Sequence, residues 1–546
     1  MTSHLDAYQL TTLCTHDDEG RRDHAVQMAF FFRRMPAHRN YVVVAGLARI
    51  LAHAATLGFS ADEIEALDAH PLLGPALAAR PALRKALIDL RGFRGRILAM
   101  REGDLAFAGP ALDDRGQPVR LGERPLTVYT PLLRVETDLL RAKLIETPWL
   151  GFLNHLSMVA TKATRIVEAA QGKPVFEFGQ RRTHPDAATD ASYAAWIGGV
   201  AGTSNMDAWC KYRIPATGTM DHFAVQASER AGISKGATET EFFRAFFRTF
   251  PGAASFLVDT YNWEEGIKHA VAASEGKLTG IRLDSNVSIP TLEKARALLR
   301  ELGAPDAKIV VSDGLDEGDV TTLAPYADAF GIGERITCSP DAPVGIGAVA
   351  KLTVNGYGVS TMKIAGTSGK ATLPGALIAT RYPDHDRLSL DGESIPDGGR
   401  PLLEEVWRGD RPTALADRSV HDAREFRACA LAELPDLVRR TFPLEASVGS
   451  LRPLVASDGL VAAVRAHLVA SSSDSSASPS PTCTPPSAPS SATAPSASPP
   501  PMRLRPTERR SSSSPNSSSP ATRRRTSFIG EASSPLNGRN WRFLRG

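Results

Sequence analysis

Short apolar runs that end in an acid or a glycine alternate with helix-spaced segments through the middle of this chain. ASFLVDTYN, residues 254–262, is one such run, and NWEEGIKHAVAAS follows it with helical spacing. LTGIRLDSN (278–286) is the next, followed by TLEKARALLRELG, which closes on a glycine stop. KIVVSDGLD (308–316), DVTTLAPYA and ADAFGIGERIT (327–337) continue the series. The unit recurs about every 25 residues, the rhythm of strand–helix pairs in a parallel α/β sheet.

The flanks read differently. Residues 1–150 mix helix-like segments (ADEIEALDAHPLL, PALRKALIDLRGF) with strand-like ones (NYVVVAGLARIL, RPLTVYTPLLRVE), which predicts an N-terminal α+β domain. Residues 151–370 form the α/β region, and 371–470 read as mainly helical (DAREFRACALAELPDLVRRTF, LRPLVASDGLVAAVRAHL).

Parallel strands joined by crossover helices either close into a barrel or stay open as a doubly wound sheet. Both arrangements place the ligand at the carboxyl ends of the strands. Here those ends carry Asp259, Arg282, Asp284, Asp313, Gly331 and Gly333. Upstream, IPATGTMDHF (214–223) brings His222 toward the same mouth after a short extended segment.

Composition changes the picture only at the C-terminus. The chain has 546 residues, 42% of them apolar and 23% charged, as in ordinary globular proteins. From Ser471 it turns into SSSDSSASPSPTCTPPSAPSS, too poor in apolar residues to offset its chain entropy, so 471–546 is expected to be a disordered basic tail. That tail holds ten Arg against one Asp and two Glu, a charge of +7, which leaves residues 1–470 at −4. The overall excess of positive charge therefore belongs to the tail, where any nucleic-acid contact would have to reside. Five cysteines in no CxxC spacing favour reduced thiols and a cytoplasmic location over a disulfide framework or a zinc site. The first twenty residues lack a signal-peptide pattern, and no apolar run reaches membrane-spanning length.

The chemistry collected at the mouth is that of an anionic, phosphorylated ligand. Arg181 and Arg182, in EFGQRR, and Arg282 are planar cations suited to carboxylate or phosphate. The glycines of FGIGER allow backbone N–H groups to approach phosphate oxygens. Aspartates beside such groups suit Mg²⁺, which takes one or two carboxylates together with phosphate oxygens. Singly these signals are weak: an Asp at a strand end is often a helix N-cap, and GIG alone is a poor phosphate marker. Their convergence on one mouth carries the reading.

In order along residues 5–450, the segments DAYQL, FFRRMP with YVVVAGL, EFGQRR, GGVAGTSNMDA, IPATGTMDH, FLVDTYN, IRLDS, FGIGERIT and KIAGTSGKATLPG resemble the nicotinate phosphoribosyltransferases. The resemblance implies an irregular α/β barrel of the type II phosphoribosyltransferase kind, with an N-terminal α+β domain. It implies transfer of a phosphoribosyl group from 5-phosphoribosyl 1-diphosphate to nicotinate, an entry step to NAD, with Mg²⁺ as cofactor, ATP as co-substrate and a homodimer. By that resemblance His222 accepts a phosphoryl group from ATP, and Asp259, Arg282 and Asp284 surround the reacting ribose, with Asp284 on Mg²⁺. Arg181, Arg182, Thr203 and Ser204 approach the nicotinate or phosphoribosyl group. Asp313, Gly331 and Gly333 line the 5-phosphate pocket, and Tyr8 stacks on the pyridine ring from a neighbouring subunit.

The related nicotinamide enzymes carry Asp where this chain has Ser204. An aspartate a few ångströms from a nicotinate carboxylate would cost about 4 kcal/mol at an effective dielectric of 20. Serine removes that repulsion, so nicotinate is the expected substrate, with nicotinamide or a non-catalytic nucleotide-binding role as alternatives. Three departures from the family pattern stand out: Asn286-Val287 replaces Gly-Asp, Glu334 replaces Thr, and Asp221 replaces a small apolar residue. An acid next to His222 is expected to orient its ring.

Overall fold

The computed structural model describes residues 2–33, 35–36, 39–121, 123–338, 345–364, 371–439 and 452–474. Residues 471–474, where the disordered tail is expected to begin, instead end the helix Asp458–Asp474; the rest of that expected tail, from 475 onward, and residues 365–370 of KIAGTSGKATLPG lie outside the described residues.

The predicted strand–helix rhythm folds into one parallel sheet. Its strands are β1 (Val175–Glu177), β2 (Gly202–Thr203), β3 (Ser255–Leu257), β4 (Gly280–Leu283), β5 (Lys308–Ser312) and β6 (Ala329–Ile332). They lie in the order β2-β1-β6-β5-β4-β3, every neighbouring pair parallel. Ile281, Leu283, Ile309, Val311, Phe330 and Ile332 are fully buried. Layers on both faces explain why these strands read as continuous apolar runs.

The helices that precede and connect these strands include α1 (Leu139–Ala169), α2 (Pro185–Ile197), α3 (His222–Gln226), α4 (Lys235–Thr249), α5 (Trp263–Ala273), α6 (Ile289–Glu301) and α7 (Glu317–Leu323). Their starts are written in the sequence. Asn262 accepts from the N–H groups of Glu264 and Glu265, Ser288 accepts from Thr291, and Asp316 closes a capping box with Asp319. At the outer edge of β2 the chain returns through a parallel bridge between Thr203 and Ala216. No pairing among the described residues joins that edge to β3, so the sheet is an irregular half-barrel. Segment 217–222 crosses its open side, tied to β4 where Arg282 Nη2 donates to the Met220 carbonyl at 3.1 Å.

The flanking regions do not separate along the chain as the pattern implied. One sheet joins strands Ala25–Phe32, Leu133–Asp138 and Gly95–Met100 to Ala348–Val354 and Leu403–Gly409. Another joins Ala108–Leu112 and Thr127–Tyr129 to Leu377–Arg381, Asp386–Leu390 and Leu454–Ala456. The region 371–470, read as mainly helical, thus contributes five further strand segments before its helices Val420–Ala432 and Asp458–Asp474, besides Leu454–Ala456. Leu403–Gly409 and Leu454–Ala456 pair with Gly95–Met100 and Ala108–Leu112, hundreds of residues away, which local periodicity does not register, whereas Leu377–Arg381 and Asp386–Leu390 form a local hairpin. NYVVVAGLARIL also departs from its strand-like reading: only Val42–Val43 is extended, and helix Leu47–Thr56 follows. The glycine between them, Gly46, has φ 116°, and its Cβ position would lie 3.1 Å from the Phe152 carbonyl oxygen.

Helix α1 connects the two parts. Its 31 residues include a buried Pro148, and Asp138 caps its start by accepting from the Arg141 N–H at 2.8 Å. Thr161 and Ser157 on this helix accept from the Val43 and Ala45 N–H groups, satisfying a short strand that has no second neighbour there.

Candidate active site

A cleft of about 700 Å³ opens at the carboxyl ends of β1, β4, β5 and β6. Arg181, Arg182, Ser204, His222, Arg282, Asp284, Asp313, Gly331 and Gly333 all line it. Asp259 lies immediately behind this lining, with Oδ1 4.0 Å from His222 Nε2. Thr203 is buried one residue below Ser204 and faces away from the cleft into a polar cluster. Tyr8 is not part of the cleft. It projects half-exposed from helix Ala7–Asp18, near the Lys143 ammonium.

His222 is the first residue of α3. The acid before it does not orient the ring: Asp221 Oδ1 accepts from the Ala224 N–H at 3.0 Å and is the helix cap. The ring is instead held through Nδ1, 3.1 Å from Thr260 Oγ1. Its Nε2 faces two carboxylates, Asp284 Oδ2 at 3.6 Å and Asp259 Oδ1 at 4.0 Å.

Strand β4 and the turn after it build the rest. Asp259 Oδ2 accepts from the Asp284 N–H and the Ser285 hydroxyl, each at 2.8 Å. Its Oδ1 is buried with no hydrogen-bond partner among the described residues. Asp284 Oδ1 accepts from the Ser312 hydroxyl at 2.5 Å, leaving Oδ2 toward the histidine. Among the described residues the guanidinium of Arg282 has one hydrogen bond, to Met220, and its Nε is buried without a partner. Burial draws its proton affinity below the ordinary arginine value, and the charges of Asp284 and Asp259 only partly oppose this. It remains a cation with unused donors beside the cleft.

Two backbone details refine the sequence reading. A Cβ at Gly331 would sit 2.3 Å from the Phe178 ring, so this glycine makes room for an aromatic wall; Gly333 and Gly314 line the same rim. Asn286 has φ 53°. Asparagine tolerates this left-handed conformation better than most residues, so it preserves a turn that glycine would also make. Glu334 does face the cleft, while Arg335 turns to the Gly314 carbonyl at 3.4 Å.

Other lining groups escaped the sequence reading. Phe178 sits inside EFGQRR, beside the arginines that drew attention. Phe242 and Phe246 form an apolar wall from α4, and their i,i+4 spacing carried that signal. Thr260 and Ser312 hold His222 and Asp284, and nothing in their local sequence marks them.

For a divalent cation the donor set is two carboxylates, Asp284 Oδ2 and the unpartnered Asp259 Oδ1. Among the described residues no group of three or more His, Cys, Asp or Glu has the geometry of a protein-only metal site. The pair suits Mg²⁺ held partly by substrate phosphates and water, and does not suit a resident structural metal.

Comparison with known proteins converges on one family. Residues 4–154 match the nicotinate phosphoribosyltransferase N-terminal domain model, and 174–371 match the nicotinate phosphoribosyltransferase family model. A nicotinate phosphoribosyltransferase of Mycobacterium tuberculosis is 31% identical over 440 residues, 79% of this chain and 90% of that protein. One from Bacillus subtilis is 32% identical over 440 residues, covering 78% of this chain and 79% of its own length. Human nicotinic acid phosphoribosyltransferase superposes with a TM-score of 0.69 at 25% identity, over 84% of this chain and 99% of that structure. No described helix is long and apolar enough to cross a membrane.

Proposed function

The chain belongs to the nicotinate phosphoribosyltransferase family, and from that premise we propose that it joins nicotinate to 5-phosphoribosyl 1-diphosphate, with ATP hydrolysed through phosphorylation of His222. The observation that carries this reading is the convergence of His222, Asp259, Arg282 and Asp284 on one cleft with Arg181, Arg182 and Ser204.

In the transfer step the pyridine nitrogen attacks the ribose C1 and the bond to diphosphate breaks. The products are nicotinate mononucleotide and diphosphate. The transition state is dissociative, with positive charge on the ribose, so the protein contributes position and electrostatics. The Phe178 ring offers a flat face to the pyridine. Arg181 or Arg182 offers a fork to its carboxylate, and Ser204 adds a hydroxyl without the repulsion of an aspartate. Arg282 lies within reach of the ribose or the leaving diphosphate, and Asp313, Gly314 and Gly333 line the opposite rim for the 5-phosphate. When bound with substrate, Mg²⁺ would sit against Asp284 and Asp259 and neutralise diphosphate charge. Tyr8, exposed and outside its own cleft, is free to serve a second copy of the chain, which is the basis for a homodimer.

In the ATP half-reaction a phosphoryl group moves from ATP to the imidazole and ADP leaves; water then cleaves the P–N bond, releasing phosphate and restoring the free histidine. Nδ1 is engaged by Thr260, so Nε2 is the nitrogen directed at the cleft. Phosphoryl transfer needs placement and charge neutralisation more than acid–base power. The test is diphosphate release from nicotinate, 5-phosphoribosyl 1-diphosphate and Mg²⁺, with and without ATP. His222→Ala should lose the ATP stimulation and keep ATP-independent turnover. Equal ATP stimulation in both proteins would remove His222 from this role.

A further inference from the structure

Beneath the cleft floor lies a carboxylate that the reaction as described does not use. Glu177, the last residue of β1, is fully buried. Its Oε1 accepts from the Gly179 N–H. Its Oε2 accepts from the Thr203 hydroxyl at 2.6 Å and the Ser192 hydroxyl at 2.9 Å. Thr203 Oγ1 in turn accepts from the Asn205 N–H at 3.0 Å, and Asn205 Nδ2 donates to Ser192 Oγ at 3.2 Å. The Glu177 backbone carbonyl accepts from the Ser204 N–H at 2.9 Å.

These partners are not scattered. Gly179 begins the turn that presents Phe178, Arg181 and Arg182 to the cleft, and Thr203 precedes Ser204 on the other side. Ser192 belongs to α2, which connects the two. One side chain therefore joins both loops that form the aromatic and arginine end of the cleft. Burial pushes its carboxyl above the ordinary range, only partly offset by the three hydrogen bonds. Among the described ion pairs none involves Glu177, so no cation explains its retention. A buried acid without a counter-ion is costly when its donors are removed, and the three donors here all come from segments that shape the cleft.

We propose that Glu177 is a positioning residue that sets the separation and orientation of the Phe178–Arg182 turn and the Thr203–Ser204 loop, and so determines recognition of the pyridine carboxylate. The inference rests on the proposed nicotinate reading. It assigns Glu177 no contact with substrate; it acts through Gly179 and Thr203.

The experiment uses the full chain and measures KM for nicotinate, KM for 5-phosphoribosyl 1-diphosphate, kcat and thermal midpoint. Thr203→Val removes one donor and should raise the nicotinate KM about tenfold, the size of one lost hydrogen bond to a charged group. The KM for 5-phosphoribosyl 1-diphosphate should stay within about twofold, since the phosphate rim lies on β5 and β6. Glu177→Ala should have the larger effect, and adding Thr203→Val to it should change little, because both act through one network. Glu177→Gln keeps an oxygen for Gly179 and should recover part of the loss. Should Glu177→Ala fail to fold, Thr203→Val and Glu177→Gln decide alone. An unchanged nicotinate KM in the folded variants, or equal rises in both KM values, would overturn the proposal. A wild-type chain that neither binds nor turns over nicotinate would overturn the functional reading, and this inference with it.

Discussion

Two buried arginines, Arg381 and Arg282, show how differently this protein treats charge. Arg381 donates to Asp386 through two nitrogens, at 2.9 and 2.8 Å, to Asp104 at 2.6 Å and to the Leu105 carbonyl at 2.6 Å. Arg452 also donates to Asp386, at 2.8 Å, and Arg400 to Asp104, at 2.9 Å. Burial alone would draw the Arg381 proton affinity down, but Asp386 and Asp104 outweigh it and hold it well above the ordinary value. At Arg282 burial wins and the shift has the opposite sign. One side chain has its hydrogen-bonding capacity used by the fold. The other has, among the described residues, a single carbonyl, a buried Nε without a partner and an open cleft beside it. Saturated charges hold strands together, and a charge with spare donors that also faces an open cleft is placed where a ligand can use them.

The largest expected effect breaks the saturated side. Asp386→Ala leaves Arg381 and Arg452 buried without their shared acceptor and should cost about 3–5 kcal/mol of stability, read by urea unfolding. Activity per folded molecule should be unchanged. The same carboxyl sets an acid limb. Burial tends to raise its pKa, but Arg381 and Arg452 hold it below the ordinary aspartate value. Its contribution is therefore present above the unfolded carboxylate range and is lost as pH falls through its folded value. In Asp386→Asn the dependence of stability on pH below about 4 should flatten.

Arg282→Ala is the mirror experiment. It removes a cation with one protein partner, so stability should move by no more than about 1 kcal/mol, while kcat/KM falls on the order of 100–1,000-fold. A large loss of stability with normal turnover would reverse the comparison between the two arginines. The smallest effect is a control far from both. Ser60 caps helix Ala61–Ala69 in a capping box with Glu63, and Ser60→Ala should cost about 1 kcal/mol with no change in kcat/KM.

Much of the parallel half was legible in the chain. Runs such as KIVVSDGLD and LTGIRLDSN became β5 and β4 because strands covered on both faces need uninterrupted apolar residues. Their polar ends necessarily met at one rim, which is why nine expected residues line the cleft. Legibility failed where a role depends on a distant partner. Asp221 looked like an orienting acid and is a helix cap. Gly331 lines the cleft as expected, and it also yields space to the Phe178 ring, a role its local sequence does not mark. Of the strands between residues 377 and 409, Leu403–Gly409 pairs with Gly95–Met100 some 300 residues earlier, a partner no local window contains, while Leu377–Arg381 and Asp386–Leu390 form a local hairpin that the helical reading missed.

By itself the sequence determined the βα alternation, the helix caps, the charge split between body and tail, and the set of residue types available at the strand ends. Those are properties of neighbours a few positions apart, where periodicity and capping act directly. Only the tertiary structure decided which arginine is saturated, which oxygen of Asp259 is left without a partner, and which carboxylates face His222. Hydrogen-bonding capacity is filled by whatever segments packing brings within about 3 Å, and that proximity is set by the whole fold and by no local stretch of chain.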